Sequence, residues 1–239
     1  MGFTSHTIVE KGTGLQAFFY TAEQVQALER TLSAERLQPY RALAHGDPVL
    51  ALKLHARNTA LSESLYGVLG GLEIALRNSV HGVLSSGLGR SDWYDSGLLQ
   101  PEQQRPLQMT KKRLLQDGKP LDPGRIVAEL SFGFWTGLIG PGYSSLWRDH
   151  LFTAFSHRNL RREEAHSRLD TIRKLRNRIA HYEPILSRPL QKDYNRILDA
   201  IGWISPIHAR WVRTYSSFPE RYAAFVDPSL PRIIRGQPS

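Results

Sequence analysis

The 239-residue sequence contains no cysteine, which excludes disulfides, thiol nucleophiles, iron–sulfur clusters and every zinc site built on thiolates. A long apolar run is also missing: the best stretch, Phe132 to Ile139, falls well short of the roughly eighteen residues that a membrane span needs. Two-residue alternation with β-branched enrichment is scarce, so strands are not expected. There is no GxSxG elbow, no Walker loop and no GxGxxG after a strand, and Gly140-Pro141-Gly142 reads as a helix break. His150, His157 and His166 lack metal-ligand spacing, so neither metal nor cofactor is expected. Near the start, Glu10 and Lys11 stand where a signal peptide has its apolar core, and His6 replaces the Ser or Thr of a myristoylation signal. The expected location is the cytoplasm, with no membrane partner.

What the sequence does contain is helix signal and positive charge. With 41% hydrophobic and 22% charged residues the chain has an ordinary globular composition, and 31 Lys plus Arg against 22 Asp plus Glu leave a net +9. That balance favours a polyanionic partner such as nucleic acid. The cations are 24 Arg and 7 Lys. Arginine is the better bidentate phosphate ligand, although genomic base composition produces the same bias without function.

Thr21 and Gln24 have capping-box spacing and open a helix to about Leu32, and Ser33 caps a second to about Leu43, giving an N-terminal helical hairpin. Asp47-Pro48 starts a helix over about 48–57, and Asn58 caps a longer one to about Ser86, ended by Gly87 and Gly89. Trp93 and Tyr94 fall in an ordered turn, Pro101 to Gln116 reads as a polar helix, and Asp122-Pro123 starts the next. The Phe-, Trp- and Leu-rich segment from Arg125 to Ile139 reads as one core helix. Ser144 caps another to about Phe155, a long helix runs from about Arg162 to Tyr182, and short C-terminal helices follow. The expected fold is an all-α bundle with a helical extension over 1–46, a main domain over 47–225 and a tail over 226–239.

Charge is concentrated in one place. Between His157 and Arg178 eight Arg or Lys face three acids, more than half of the chain's excess charge within 22 residues. Such a run is commonly a solvated helix face. On a helical wheel, however, Ile172, Leu175, Ile179 and Tyr182 form an apolar stripe, while Arg173, Arg176, Asn177 and His181 occupy a polar arc in which Asn177 and His181 lie one turn apart. That set suits metal-free RNA cleavage: a 2′-hydroxyl attacks phosphorus, histidine moves a proton and arginine steadies the phosphorane. An Arg followed five positions later by His occurs about once by chance at this composition, and Arg161 with His166 is a second match, so spacing alone decides nothing.

The flanking residues do discriminate. Leu175-Arg176-Asn177-Arg178-Ile179-Ala180-His181-Tyr182-Glu183-Pro184 resembles the Arg-polar-x3-His element of the HEPN superfamily of ribonucleases. Leu32-Ser33, Arg36-Leu37 with Tyr40, the run Leu72 to Asn78, Trp93-Tyr94-Asp95 and the run Glu129 to Trp135 resemble its abortive-infection (Abi-like) branch. The resemblance covers about residues 20–215. It implies a HEPN-type helical bundle, a homodimer whose two motifs form one composite site, RNA as the substrate, and a metal-independent endoribonuclease acting in antiviral defence or as a toxin with an RNA or protein antitoxin. Carried over, Arg176 and His181 become the catalytic pair, Asn177 the polar orienting residue, and Arg173 and Arg178 contacts to RNA. Glu73, Arg77 and His81, four residues apart on one helix flank, are expected to support the site, with Glu73 and Arg77 as an intrahelical ion pair.

Two other readings stay open. The same basic groove serves a non-catalytic RNA-binding module, and His181 with Tyr182 serves simply to end a helix. A last group, Trp203, Trp211, Tyr215, Phe218, Tyr222 and Phe225 among Arg210, Arg213 and Arg221, either packs in the core or clamps single-stranded RNA.

Overall fold

The computed structural model describes residues 18, 20–157 and 159–226, so Arg158 and the expected tail from Asp227 onward lie outside the described residues. The described residues form eleven α-helices with three short 3-10 turns and no strand. They fall into two compact units that divide between Ala56 and Arg57.

In the first unit, α1 (Ala22–Leu32) opens with the expected capping box: the Thr21 side chain accepts from the Gln24 N–H while the Gln24 side chain accepts from the Thr21 N–H. Ser33, at φ 73°, caps α2 (Ala34–Leu43) through the Arg36 N–H. Asp47 accepts from the Leu50 N–H at the start of α3 (Pro48–Leu88). The first turns of α3 belong with this hairpin, because the His55 ring stands edge-on to Tyr40 at 5.2 Å and Ala51, Leu52 and Leu54 are buried. The division therefore falls inside a helix, ten residues beyond the boundary expected at 46.

The second unit is organised along the rest of α3. A single 41-residue helix replaces the two expected over this stretch, and Asn58 lies within it rather than capping it. Leu61, Leu65, Leu69, Leu72, Leu76, Val80 and Leu84 repeat at three- and four-residue spacing and are all buried, which is the stripe that holds other helices to one face. Gly89, at φ +66°, ends the helix.

Around α3 come a 3-10 turn at Trp93–Asp95, α4 (Pro101–Gln116), α5 (Pro123–Glu129), α6 (Phe132–Gly137), α7 (Ser144–Asp149), α8 (Arg162–Ala180), α9 (Leu190–Ile204), α10 (Pro206–Tyr215) and α11 (Phe218–Phe225). The expected core helix over 125–139 is two helices. Ser131 takes up an extended conformation and caps α6 through the Phe134 N–H, which breaks the run after Glu129. Its apolar residues nevertheless form the core as expected: Phe132, Phe134, Trp135, Leu138 and Ile139 are buried, and α6 packs on α8. Ser144 begins α7 without capping it, and a 3-10 turn over Leu151–Ala154 replaces the rest of that expected helix.

Helix α10 packs on α9 and is drawn close to α3 at one glycine. A Cβ at Gly71 would lie 2.9 Å from Val212 Cγ2, whereas one at Gly70 meets nothing within 4 Å. Adjacent helical glycines therefore predict opposite responses. Gly70→Ala raises stability by about 0.5–1 kcal/mol through helix propensity, and Gly71→Ala lowers it by about 1 kcal/mol or more through overpacking against Val212; thermal melts of the two variants give the signs.

Candidate functional site

The apolar stripe of α8 behaves as its spacing requires up to Ile179: Ile172, Leu175 and Ile179 are buried. Tyr182, placed on the same stripe by the wheel, is 76% exposed. The helix ends at Ala180, His181 is the C-cap, and Tyr182 turns to φ +56°. The Glu183 N–H donates to the Arg178 carbonyl at 2.8 Å and the Tyr182 N–H to the Ile179 carbonyl at 3.1 Å, which closes a Schellman motif with tyrosine at the position glycine usually fills. A side chain in this left-handed region costs about 1–2 kcal/mol. The chain therefore holds an exposed aromatic ring, under backbone strain, beside the exposed His181.

A buried amide fixes this turn from α3. Asn58 is 4% exposed; its Oδ1 accepts from the Ile185 N–H at 2.7 Å and its Nδ2 donates to the Glu183 carbonyl at 3.4 Å. Reading the sequence missed this role, because Asn followed by Thr has the local look of a helix cap. The available signal was a lone amide at helical spacing from Leu54 and Leu61, on the apolar stripe.

The expected catalytic residues share the last turns of α8. Arg176 is half-buried, with its Nε 3.7 Å from Glu73 Oε2 of α3, and its N–H groups donate no hydrogen bond among the described residues. Asn177 is also half-buried, its side-chain amide makes no hydrogen bond among the described residues, and its carbonyl accepts from the His181 N–H at 3.0 Å. Two side chains rich in unengaged donors thus stand at the solvent edge, between one and one and a half turns from the imidazole.

The other basic residues of α8 lie closer to their acids. Arg173 donates twice to Asp170, which Lys174 also pairs at 2.8 Å. Burial raises the Asp170 pKa, but the hydrogen bonds from Lys174 and Arg173 outweigh it and hold the carboxyl below its ordinary value. Arg178 Nε lies 3.4 Å from Glu183 Oε2, an ion pair across the Schellman turn. Arg168 pairs with Asp199 and lies over the Trp203 ring at 5.1 Å. Arg173 and Arg178, expected as RNA contacts, are thus each engaged by an acid of their own chain.

The expected intrahelical pair of Glu73 and Arg77 does not form. Glu73 faces Arg176, while Arg77 donates to the Ala128 carbonyl near the end of α5 at 3.3 Å and to Asn78. A C-terminal helix carbonyl has no partner within its own helix, which explains the attraction. His81 is drawn elsewhere: its Nδ1 accepts from the Trp93 indole N–H at 3.0 Å, which leaves the ring proton on Nε2 when the imidazole is neutral. Burial pushes its pKa below the ordinary 6.5. Of the three supporting residues, only Glu73 pairs with the α8 motif.

Two cavities of about 410 and 530 Å³ are present, one between α8 and α9 lined by Arg168, Lys192 and Asp199 among others, one by Arg90, Asp92 and Lys111 among others. Neither is lined by Arg176, Asn177 or His181. His181 is exposed and Arg176 and Asn177 are partly so, a setting that suits a polymer better than an engulfed small molecule. Among the described residues no three His, Asp or Glu side chains converge as metal ligands, and no helix is long and apolar enough to cross a membrane. Comparison of the chain with protein-family models, curated proteins and solved structures finds no match.

The turn predicts two substitutions of opposite sign. Asn58→Ala leaves the Ile185 N–H and Glu183 carbonyl unsatisfied and costs about 1–3 kcal/mol, whereas Tyr182→Gly relieves the left-handed strain and gains about 1 kcal/mol. Denaturant unfolding of both variants beside wild type checks the pair.

Proposed function

We propose that the chain is a metal-independent endoribonuclease with its chemistry at the end of α8. The reading is carried by Arg176, a half-buried guanidinium aimed by Glu73 yet donating no hydrogen bond, beside an exposed histidine. A carboxylate at 3.7 Å orients the cation without occupying its donors, leaving them for an anionic oxygen of a different molecule. The net charge of +9 and the open setting of the motif support a polyanionic substrate.

In the proposed reaction a ribose 2′-oxygen bonds to the adjacent phosphorus and the bond from phosphorus to the 5′-oxygen breaks. The products are a 2′,3′-cyclic phosphate and a 5′-hydroxyl, and the proton lost by the 2′-hydroxyl ends on the 5′-oxygen. His181 carries that proton at one end of the path. Arg176 stabilises the charge that grows on the phosphoryl oxygens, and the Asn177 amide orients the phosphate or the imidazole. With one such histidine per chain, a homodimer that brings two motifs together supplies both a base and an acid. The resemblance of the residues around Arg176 and His181 to the HEPN ribonucleases, and of the upstream segments to their Abi-like branch, supports this reading and its setting in antiviral defence or toxin action.

Incubation of purified protein with mixed-sequence RNA in excess EDTA tests the proposal. Wild type cuts to cyclic-phosphate ends, and His181→Ala and Arg176→Ala each lose about 100-fold or more in rate. RNA retained equally by all three proteins and cut by none identifies a binding module instead.

A further inference from the structure

The C-terminal aromatic residues separate into two groups. Phe218 and Phe225 are buried, but α10 presents Ile207, Trp211 and Tyr215 at 73%, 59% and 75% exposure. These three are four residues apart and form one outward stripe. The half-buried His208 extends it, with ring centroids 5.9 Å from His208 to Trp211 and 5.4 Å from Trp211 to Tyr215. Val212, off to one side of the stripe, is the buried anchor against Gly71 of α3, so the packing of α10 is what turns the rings outward.

Charge runs beside the rings. Arg210 is exposed on the flank of the stripe next to Ile207, Arg213 is exposed further round the helix, neither has an ion-pair partner among the described residues, and α10 contains no acid. This contrasts with α8, whose cations within the helix are each engaged by a carboxylate. A row of π-faces edged by an unpaired guanidinium, that of Arg210, matches a single-stranded nucleic acid, whose bases stack while its phosphates pair. A second copy of the chain fits less well: the three side chains expose roughly 450 Å², about half of what each partner of a stable interface buries.

We infer that α10 is a stacking platform for unpaired RNA, with Trp211 and Tyr215 taking bases and Arg210 taking the backbone. The inference deepens the ribonuclease reading, and rests on it for the choice of RNA, by assigning single-stranded RNA as the substrate class.

Fluorescence anisotropy separates the two claims, because it reads binding in a His181→Ala background where cleavage does not intervene. The probes are a labelled, unstructured 20-nucleotide RNA and a duplex of the same length. Adding Trp211→Ala or Tyr215→Ala weakens single-strand binding about tenfold and leaves duplex binding nearly unchanged, since only unpaired bases offer a free face. Replacing Arg210 with serine lowers the slope of log Kd against log salt by about 0.7. Unchanged single-strand affinity in the ring variants, or no binding of either probe, overturns the platform. So does a fall in mass by light scattering on Trp211→Ala, which makes the face a contact between protein chains. The ribonuclease reading fails separately, when wild type leaves RNA intact in EDTA.

Discussion

The side-chain amide of Asn58 is buried within α3, where its polar atoms are satisfied by backbone groups that arrive from 125 and 127 residues further along the chain. An amide in that position is costly unless both of its ends are used. Meeting this requirement ties the segment after α8 to α3 and sets where the last turn of α8 ends. His181 and Tyr182 owe their exposure to that attachment. Further along α3, Glu73 reaches Arg176, Arg77 reaches the end of α5, His81 receives the Trp93 indole and Gly71 admits Val212. One helix thus positions both the α8 motif and the outward face of α10.

Charge is distributed unevenly over this frame. Most cations of α8 are neutralised locally, and Arg173, Lys174 and Arg178 serve to hold the helix and its terminal turn. Arg176 differs in having the most distant carboxylate partner of the set, and like Arg178 it donates no hydrogen bond among the described residues. In a phosphoryl-transfer site an arginine that is aimed but not saturated contributes more than one already bound, since its hydrogen bonds are then made to charge developing in the transition state. The strain at Tyr182 is consistent with selection for something other than stability at this turn.

Much of this was legible locally. Thr21, Ser33, Asp47 and Asp122 cap the helices their spacing assigns to them, and Pro101 to Gln116 forms a helix with those limits. The stripe of Ile172, Leu175 and Ile179 faces the core as its period requires. The differences arise where a distant partner overrides a local pattern. Asn58 has the look of a cap but is satisfied by Glu183 and Ile185, and Glu73 has an arginine one turn away but pairs with another helix. Tyr182 leaves the stripe because the chain reverses one residue before it, and a tyrosine at positive φ carries no sequence signal of its own. The aromatic cluster divided in the same way: which rings face outward depended on the side of α10 that met Gly71.

The central claim is that the end of α8 directs a ribose hydroxyl, rather than water, at phosphorus. Single 2′-deoxy substitution at a mapped cleavage position tests it most directly. The account predicts that cutting stops at the substituted position and continues at unmodified ones. Continued cutting at the deoxy position contradicts it, because the nucleophile must then come from solvent.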